Sequence, residues 1–249
     1  GDTIIFFDDY TETSAVQITM TNGVDINLNG NTYTLSSADN TNMFTSGVGA
    51  KVTFYNGRLI RVNAVPTTST TGVAFLIARD VELTFEGVLI DQQSDALIMS
   101  NSGTNAKIIG GIYKGGSGTY QYSVLFTSAI TLISMYFESI QPISISGATM
   151  IDCIIRNSSS GAGVEALEIG NSSRVSNCYV EHTSGTNTST TIEVTGDSFL
   201  RNCTAINRGT GIGMSATSSK IYDCYAESIG GNAFRLLSNC YAKDCSASS

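Results

Sequence analysis

Two glutamates carry the sharpest chemical suggestion in this sequence. Glu168 sits in Leu167-Glu168-Ile169 and Glu193 in Ile192-Glu193-Val194, 25 residues apart. In an extended strand the flanking apolar residues face one way and the glutamate the other. If the two segments lie on neighbouring strands, the carboxylates stand about 5 Å apart, near the separation used by retaining glycosidases. Like charges that close raise one pKa, which sets an acid beside a base. A bridging calcium ion is an equally physical use of the pair, and two solvated side chains splaying apart is the plain one. Other carboxylates gather at Asp80, Glu82, Glu86, Asp91 and Asp95, and Asp8-Asp9 has the form of a turn. His182 is the single histidine, in front of a Ser/Thr-rich run, which leaves little room for a histidine-dependent triad or a zinc site.

Aromatic side chains offer a second chemistry. Tyr136, Tyr179, Tyr225 and Tyr241 each follow a methionine or cysteine that recurs along the chain, and an outward column of tyrosines suits the C–H faces of pyranose rings. The alternatives are ordinary strand tyrosines with wet tips or an interface between subunits. Two residues further on run Lys114, Glu138, Arg156, Glu181, Ile206, Glu227 and Lys243, with alternating sign over the first four. Opposite charges on adjacent strands support each other by a few tenths of a kcal/mol; a charged sugar-binding strip is the functional alternative.

These residues need a repeat to position them, and the sequence supplies one. Asn177-Cys178-Tyr179-Val180-Glu181 recurs as Asn202-Cys203-Thr204-Ala205-Ile206, Asp223-Cys224-Tyr225-Ala226-Glu227 and Asn239-Cys240-Tyr241-Ala242-Lys243, with Asp152-Cys153 one step upstream. Further back the cysteine becomes Met135, Gly111, Gly87, Gly57 and Gly30. The mean step is about 23 residues. Seven of the ten positions before the anchor are Asn or Asp, residues that tolerate left-handed backbone and turn a chain sharply. A second alternation precedes each anchor, as in Ile143-Ser144-Ile145 or Ile212-Gly213-Met214. Period-two patterning excludes helical repeats, and units this short bury their apolar faces only by stacking coil on coil. Cysteines in one stacked column keep their Cβ atoms about 4.8 Å apart, beyond the roughly 3.8 Å of a disulfide, so Cys153, Cys178, Cys203, Cys224 and Cys240 are expected reduced and buried.

The Asn/Asp corners, the opening Gly1-Asp2-Thr3-Ile4-Ile5-Phe6 and the segment from Gly23 to Gly30 resemble the right-handed parallel β-helices of the pectin-lyase-like superfamily, with the look of phage tailspikes. The resemblance implies an all-β, single-stranded right-handed solenoid of about ten coils. It implies a tail spike or fibre that binds, and in some members cleaves, a host surface polysaccharide, assembled as a homotrimer in a virion tail made in a reducing cytosol. A non-catalytic structural or adhesin rod is the first alternative. A secreted polysaccharide lyase or epimerase, extracellular or at the cell surface, is the second. The Asn-Thr-Asp, Gly-His-Gly and Arg-Ile-Lys signatures of polygalacturonases are missing, as is the arginine-bearing motif of pectate lyases. If there is catalysis, carboxylates must carry it.

Composition agrees with that class. Of 249 residues, 32 are Ser, 29 Thr, 18 Asn and 25 Gly, while Pro occurs twice and Trp never, which is the make-up of a turn-dense β protein. Thirteen basic against 21 acidic residues give −8, a field that repels duplex nucleic acid. The most apolar stretch, Val124 to Phe137, is too short and too interrupted to insert in a membrane. The expected organisation is one β-helix domain over residues 1–249, a fragment of a longer chain, with the loop from Asn63 to Thr71 as an excursion. No cofactor is implied beyond the calcium considered above.

Overall fold

The computed structural model describes residues 2–14, 18–20, 23–37, 41–62, 73–93, 99–101, 105–115, 122–127 and 129–249. The loop from Asn63 to Thr71 and Asp95 lie outside the described residues.

The described chain is a solenoid with three short strands per coil. One coil runs Thr149–Ile151, a sharp corner, Ile154–Asn157, a longer loop, then Leu167–Gly170. Each strand pairs in parallel with its counterpart one coil away. The third strands form a ten-stranded sheet. The first and second strands merge into a 19-stranded sheet, because three coils run through the corner without a break, in Lys51–Val62, Glu82–Gln92 and Ala106–Gly115. Three lateral faces result, and along every strand alternate side chains point into the core or out to solvent.

Corners are built as the sequence proposes. All seven Asn or Asp residues ahead of the anchors adopt left-handed backbone: Asn29, Asn56, Asp152, Asn177, Asn202, Asp223 and Asn239, with φ between 48° and 58°. Their side chains also ladder between coils, Asn177 Nδ2 donating to Asp152 Oδ1 at 2.9 Å and Asn202 Nδ2 to Asn177 Oδ1 at 3.0 Å. A polar side chain that stands in a left-handed corner thus finds a partner one coil away. Substituting Ala there loses both the bond and the tolerance for positive φ.

The core changes character along the axis. Early coils stack rings, with Phe44 over Phe75, Phe54 over Phe85 and Tyr113 over Phe137, each pair about 5.0 Å apart. Later coils fill the same volume with Cys153, Cys178, Cys203 and Cys224, all buried, beside Ile155, Val180, Ala205 and Ala226. All six cysteines are free.

One register differs from the sequence reading. Tyr225 pairs with Ser246 and Ala226 with Ala247, so Cys245, not Cys240, completes the cysteine column. Asn239-Cys240 fills the other corner of the coil, from third strand to first, where Ser172-Ser173, Asp197-Ser198 and Ser218-Ser219 stand in earlier coils. Both corners use a left-handed polar residue followed by a small one, and a pattern built on that pair cannot tell them apart. The consequence is testable. Alkylation of the native protein should label Cys240 and Cys245, which are partly exposed, and spare the four buried thiols until it is denatured. Native labelling of Cys178 or Cys203 would contradict the stack.

Candidate functional site

The third face carries the acidic pair. Glu168 and Glu193 are direct Cα partners on adjacent parallel strands, with Ser144 opposite Glu168 on the preceding coil and Ser215 opposite Glu193 on the next. Leu167, Ile169, Ile192 and Val194 are buried on either side, so both carboxylates face outward. Two loop residues that the sequence reading passed over join them. Glu165 lies just ahead of the strand Leu167–Gly170, and Tyr122 just ahead of Val124–Phe126.

Electrostatics separate the carboxyls. Burial, then the charges of Glu165 and Glu193, push the Glu168 carboxyl up to about 7, against the pull of hydrogen bonds from Ser144 and Tyr122. Glu165 is also raised, chiefly by burial. The Tyr122 phenol is raised in turn by burial and by the Glu168 charge. Glu168 and Glu193 line a cleft of about 240 Å³ with Ser144, Ser146, Asn171 and Thr195. A carboxyl that holds its proton near neutrality beside a second carboxylate can donate that proton to a leaving oxygen. Among the described residues no lysine or arginine lines the cleft. Among the described residues no group of three or more His, Cys, Asp or Glu is arranged to hold a metal ion.

The second face carries the tyrosines. Tyr136, Tyr179 and Tyr225 share one outward column, interrupted by Ile154 and Thr204. Tyr241 does not belong to it. It pairs with Lys220 on the first face, for the same reason that Cys240 left its column, and Lys243 leaves the charged column with it. The phenols of Tyr136 and Tyr225 donate to Glu138 and Glu227, two residues on in their own strands, both at 2.9 Å. Ring faces rather than hydroxyls are what this column offers a ligand.

The charged column forms ion pairs. Lys114 reaches Glu138 at 2.7 Å and Arg156 reaches Glu181 at 3.6 Å. Where Ile206 breaks the column, Arg208 from the following loop bridges Glu181 at 2.9 Å and Glu227 at 3.3 Å. Glu181 is almost buried, its side chain 11% exposed. Removing Arg208 leaves that carboxylate short of its best partner, so Arg208→Ala should cost about 1–2 kcal/mol. Arg156→Ala, at a half-exposed site, should cost under about 1 kcal/mol and less in high salt. Equal costs in urea melts would show that Arg208 is not the anchor of the column. Beside these residues a groove of about 600 Å³ crosses several coils, lined by Asp91, Lys114, Glu138, Arg156, Ser158 and Thr183.

Of the early acids, Asp80, Glu82 and Asp91 do not converge. Glu82 pairs with Lys107 at 3.5 Å on the first face, Asp91 with Arg58 at 3.1 Å on the second, and Asp80 holds a left-handed corner. Asp9 accepts from the Thr32 backbone amide, one coil away, at 2.7 Å.

No helix among the described residues is long and apolar enough to cross a membrane. No protein-family model and no curated protein matches the chain. Among solved structures it is similar to the A-module of the Azotobacter vinelandii mannuronan C-5 epimerase AlgE4, with a TM-score of 0.51 at 9% identity over 99% of this chain and 86% of that one. The AlgE6 A-module from the same organism gives 0.47 at 9% identity, over 99% and 91% of the two chains. An Acinetobacter phage vB_ApiP_P1 tailspike gives 0.44 at 12% identity, over 96% of this chain and 53% of that one. At 9% identity the likeness to the AlgE4 module concerns the fold, and with the three-strand coil and its parallel register it makes this chain a right-handed parallel β-helix.

Proposed function

We propose that this β-helix binds a surface polysaccharide along its flank, in the manner of a phage tail spike, and cleaves it on the third face. The observation that carries the reading is Glu168, an outward carboxyl held near a pKa of 7 in a cleft, in register with Glu193. The groove on the second face, with Tyr136 and Tyr179 beside it, gives the chain of sugars a path over neighbouring coils. In the cleavage step Glu168 gives its proton to the glycosidic oxygen as the C–O bond breaks, while Glu193 attacks the anomeric carbon. Water then opens the glycosyl ester, returning a proton to Glu168 and freeing Glu193. Elimination from a uronate, the lyase alternative, needs a cationic side chain or a bound metal ion against the sugar carboxylate; among the described residues no lysine or arginine supplies the first at this cleft. Assembly as a homotrimer in a virion tail belongs to the same proposal, and sedimentation equilibrium tests the stoichiometry.

Binding to a glycan array, followed by assays on the hits for new reducing ends and for unsaturated products, tests the whole reading. Reducing ends alone mean hydrolysis, and ultraviolet absorbance from a new double bond means elimination. Binding without either leaves an adhesin and removes the catalytic half.

A further inference from the structure

The first face, around the corner from the acidic cleft, carries a pattern that the proposed function does not use. Its outward positions from the eighth coil onward form two columns on adjacent parallel strands. One reads Arg174, Phe199, Lys220, Tyr241; the other reads Ser176, Arg201, Tyr222, Lys243. Cation and ring alternate down the first column. The three rings touch in series, Phe199 to Tyr222 at 5.3 Å and Tyr222 to Tyr241 at 5.5 Å, tilted by 35° and 46°. Two clefts meet at Phe199. One, of about 380 Å³, holds Arg174, Lys220, Asp197, Ser198 and Ser219, and the other, of about 420 Å³, holds Arg201, Tyr222 and Lys243.

Charge on this face is unusual for a chain with a net −8. Four of the 13 basic residues lie within these two columns. Arg201 pairs with Asp223 at 3.3 Å and Lys243 with Asp244 at 3.8 Å. Arg174 and Lys220 have no ion-pair partner among the described residues, although both are exposed and border the same cleft. They stand two coils apart, roughly 10 Å at about 4.8 Å per strand.

We infer that this aromatic and cationic ladder is a second binding surface, for an acidic polysaccharide carrying one anionic group on every second sugar. Pyranose faces lie on Phe199, Tyr222 and Tyr241, whose edges and faces are already packed into one continuous ledge. The anionic groups of alternate sugars meet Arg174 and Lys220. A neutral glycan gains from the rings but nothing from those two cations. A polymer with a charge on every residue, a polyuronate or a polynucleotide, meets Asp197 in the cleft of Arg174 and Lys220 and Asp223 and Asp244 in the neighbouring cleft, and is repelled there. Tyr241, expected to bind sugar as a member of the tyrosine column, takes its place in this ladder instead.

Isothermal titration of the full chain at low and at physiological salt tests the inference with four probes. These are hyaluronan oligosaccharides, which bear a carboxylate on alternate sugars, polygalacturonate, dextran and oligo-dT. Hyaluronan oligosaccharides should bind best, and more weakly as salt rises. The double reversal Arg174→Glu/Lys220→Glu should lower that affinity at least about tenfold, and Phe199→Ala or Tyr222→Ala about five- to tenfold. All these positions are on the outside of the solenoid, and unchanged far-ultraviolet circular dichroism confirms the fold of each variant. Equal binding of dextran, equal or tighter binding of oligo-dT or polygalacturonate, retention of affinity in the double reversal, or no binding by any probe would each overturn the inference. Glu168→Gln should leave this binding unchanged, so failure of the catalytic proposal and failure of this one are separable.

Discussion

His182→Asn should give a protein that no longer loses stability as the solution is acidified from pH 6.5 to 4. His182 is fully buried at the end of its strand, and neither ring nitrogen makes a well-formed hydrogen bond among the described residues. Burial pushes its imidazole down from 6.5 to about 4, against a weaker upward pull from the backbone of Thr190, Asn157 and Val164. The folded state therefore keeps the ring neutral where the unfolded chain would protonate it. That stability is complete above 6.5, falls as pH drops, and is lost once pH passes below about 4; the shift corresponds to roughly 3 kcal/mol. Asparagine is the natural substitute, because the same inward column holds Asn157 and Asn207 on the coils before and after. Asn157 donates to the Gln141 carbonyl at 3.1 Å and accepts from the Ser159 amide at 2.8 Å. Asn207 donates to the Ser189 carbonyl at 2.7 Å and accepts from the Gly209 amide at 2.9 Å. An Asn at 182 enters that ladder with no proton to gain. Urea unfolding at pH 7, 5.5 and 4.5 measures the effect, best in a Glu168→Gln background, since Glu168 titrates with the opposite sign. Parallel acid limbs for parent and variant would place the acid sensitivity elsewhere.

The ladder also shows where reading the sequence stops working. Corners between first and second strands are two residues long and recur at nearly fixed spacing, so their Asn and Asp residues announce themselves, and every one is left-handed in the structure. The inward column Ser139, Asn157, His182, Asn207 and Ser228 is as regular in space. It stands at the mouth of loops of varied length, where alignment by period drifts and five different contexts hide one role. Glu165 and Tyr122 were missed for the same reason, as loop residues brought to Glu168 by coil stacking rather than by any local pattern. Arg208 is the subtler case. The break in the charged column at Ile206 is visible in the sequence, but the repair comes from two residues downstream, after the strand has ended. Strand alternation predicted that Glu168 and Glu193 would be neighbours and was right to do so. It could not predict their unequal environments, since depth in a cleft depends on the loops above it. The misplacement of Tyr241 has yet another origin, a corner chemistry used twice per turn, which a sequence motif reads as one.

Those unequal environments make Glu168→Gln the most telling substitution in the chain. A carboxyl whose folded pKa lies near 7, against an ordinary 4.5, favours the fold only while it keeps its proton. That contribution is complete below 4.5 and is lost as pH rises through about 7, leaving a net cost at pH 8. Glutamine keeps the neutral shape and can still bond to Ser144 and Tyr122, so the variant should be more stable than the parent at pH 8 by about 1–2 kcal/mol. That figure is reduced from the full shift because the side chain is partly solvated. Parent and variant should converge below pH 4.5. On the cleavage proposed for the third face, activity should move the other way. Loss of the proton donor should lower kcat by roughly 10²- to 10⁴-fold with glycan binding retained. Glu193→Gln should also abolish turnover. Removing its charge lets the Glu168 pKa fall, so any residual activity should lose its alkaline limb at lower pH. A calcium site makes a different forecast, in which both variants lose a calcium-dependent rise in Tm. If the two variants cleave as the parent does and melt alike with and without calcium, the register of Glu168 and Glu193 is a consequence of stacking with no chemistry attached.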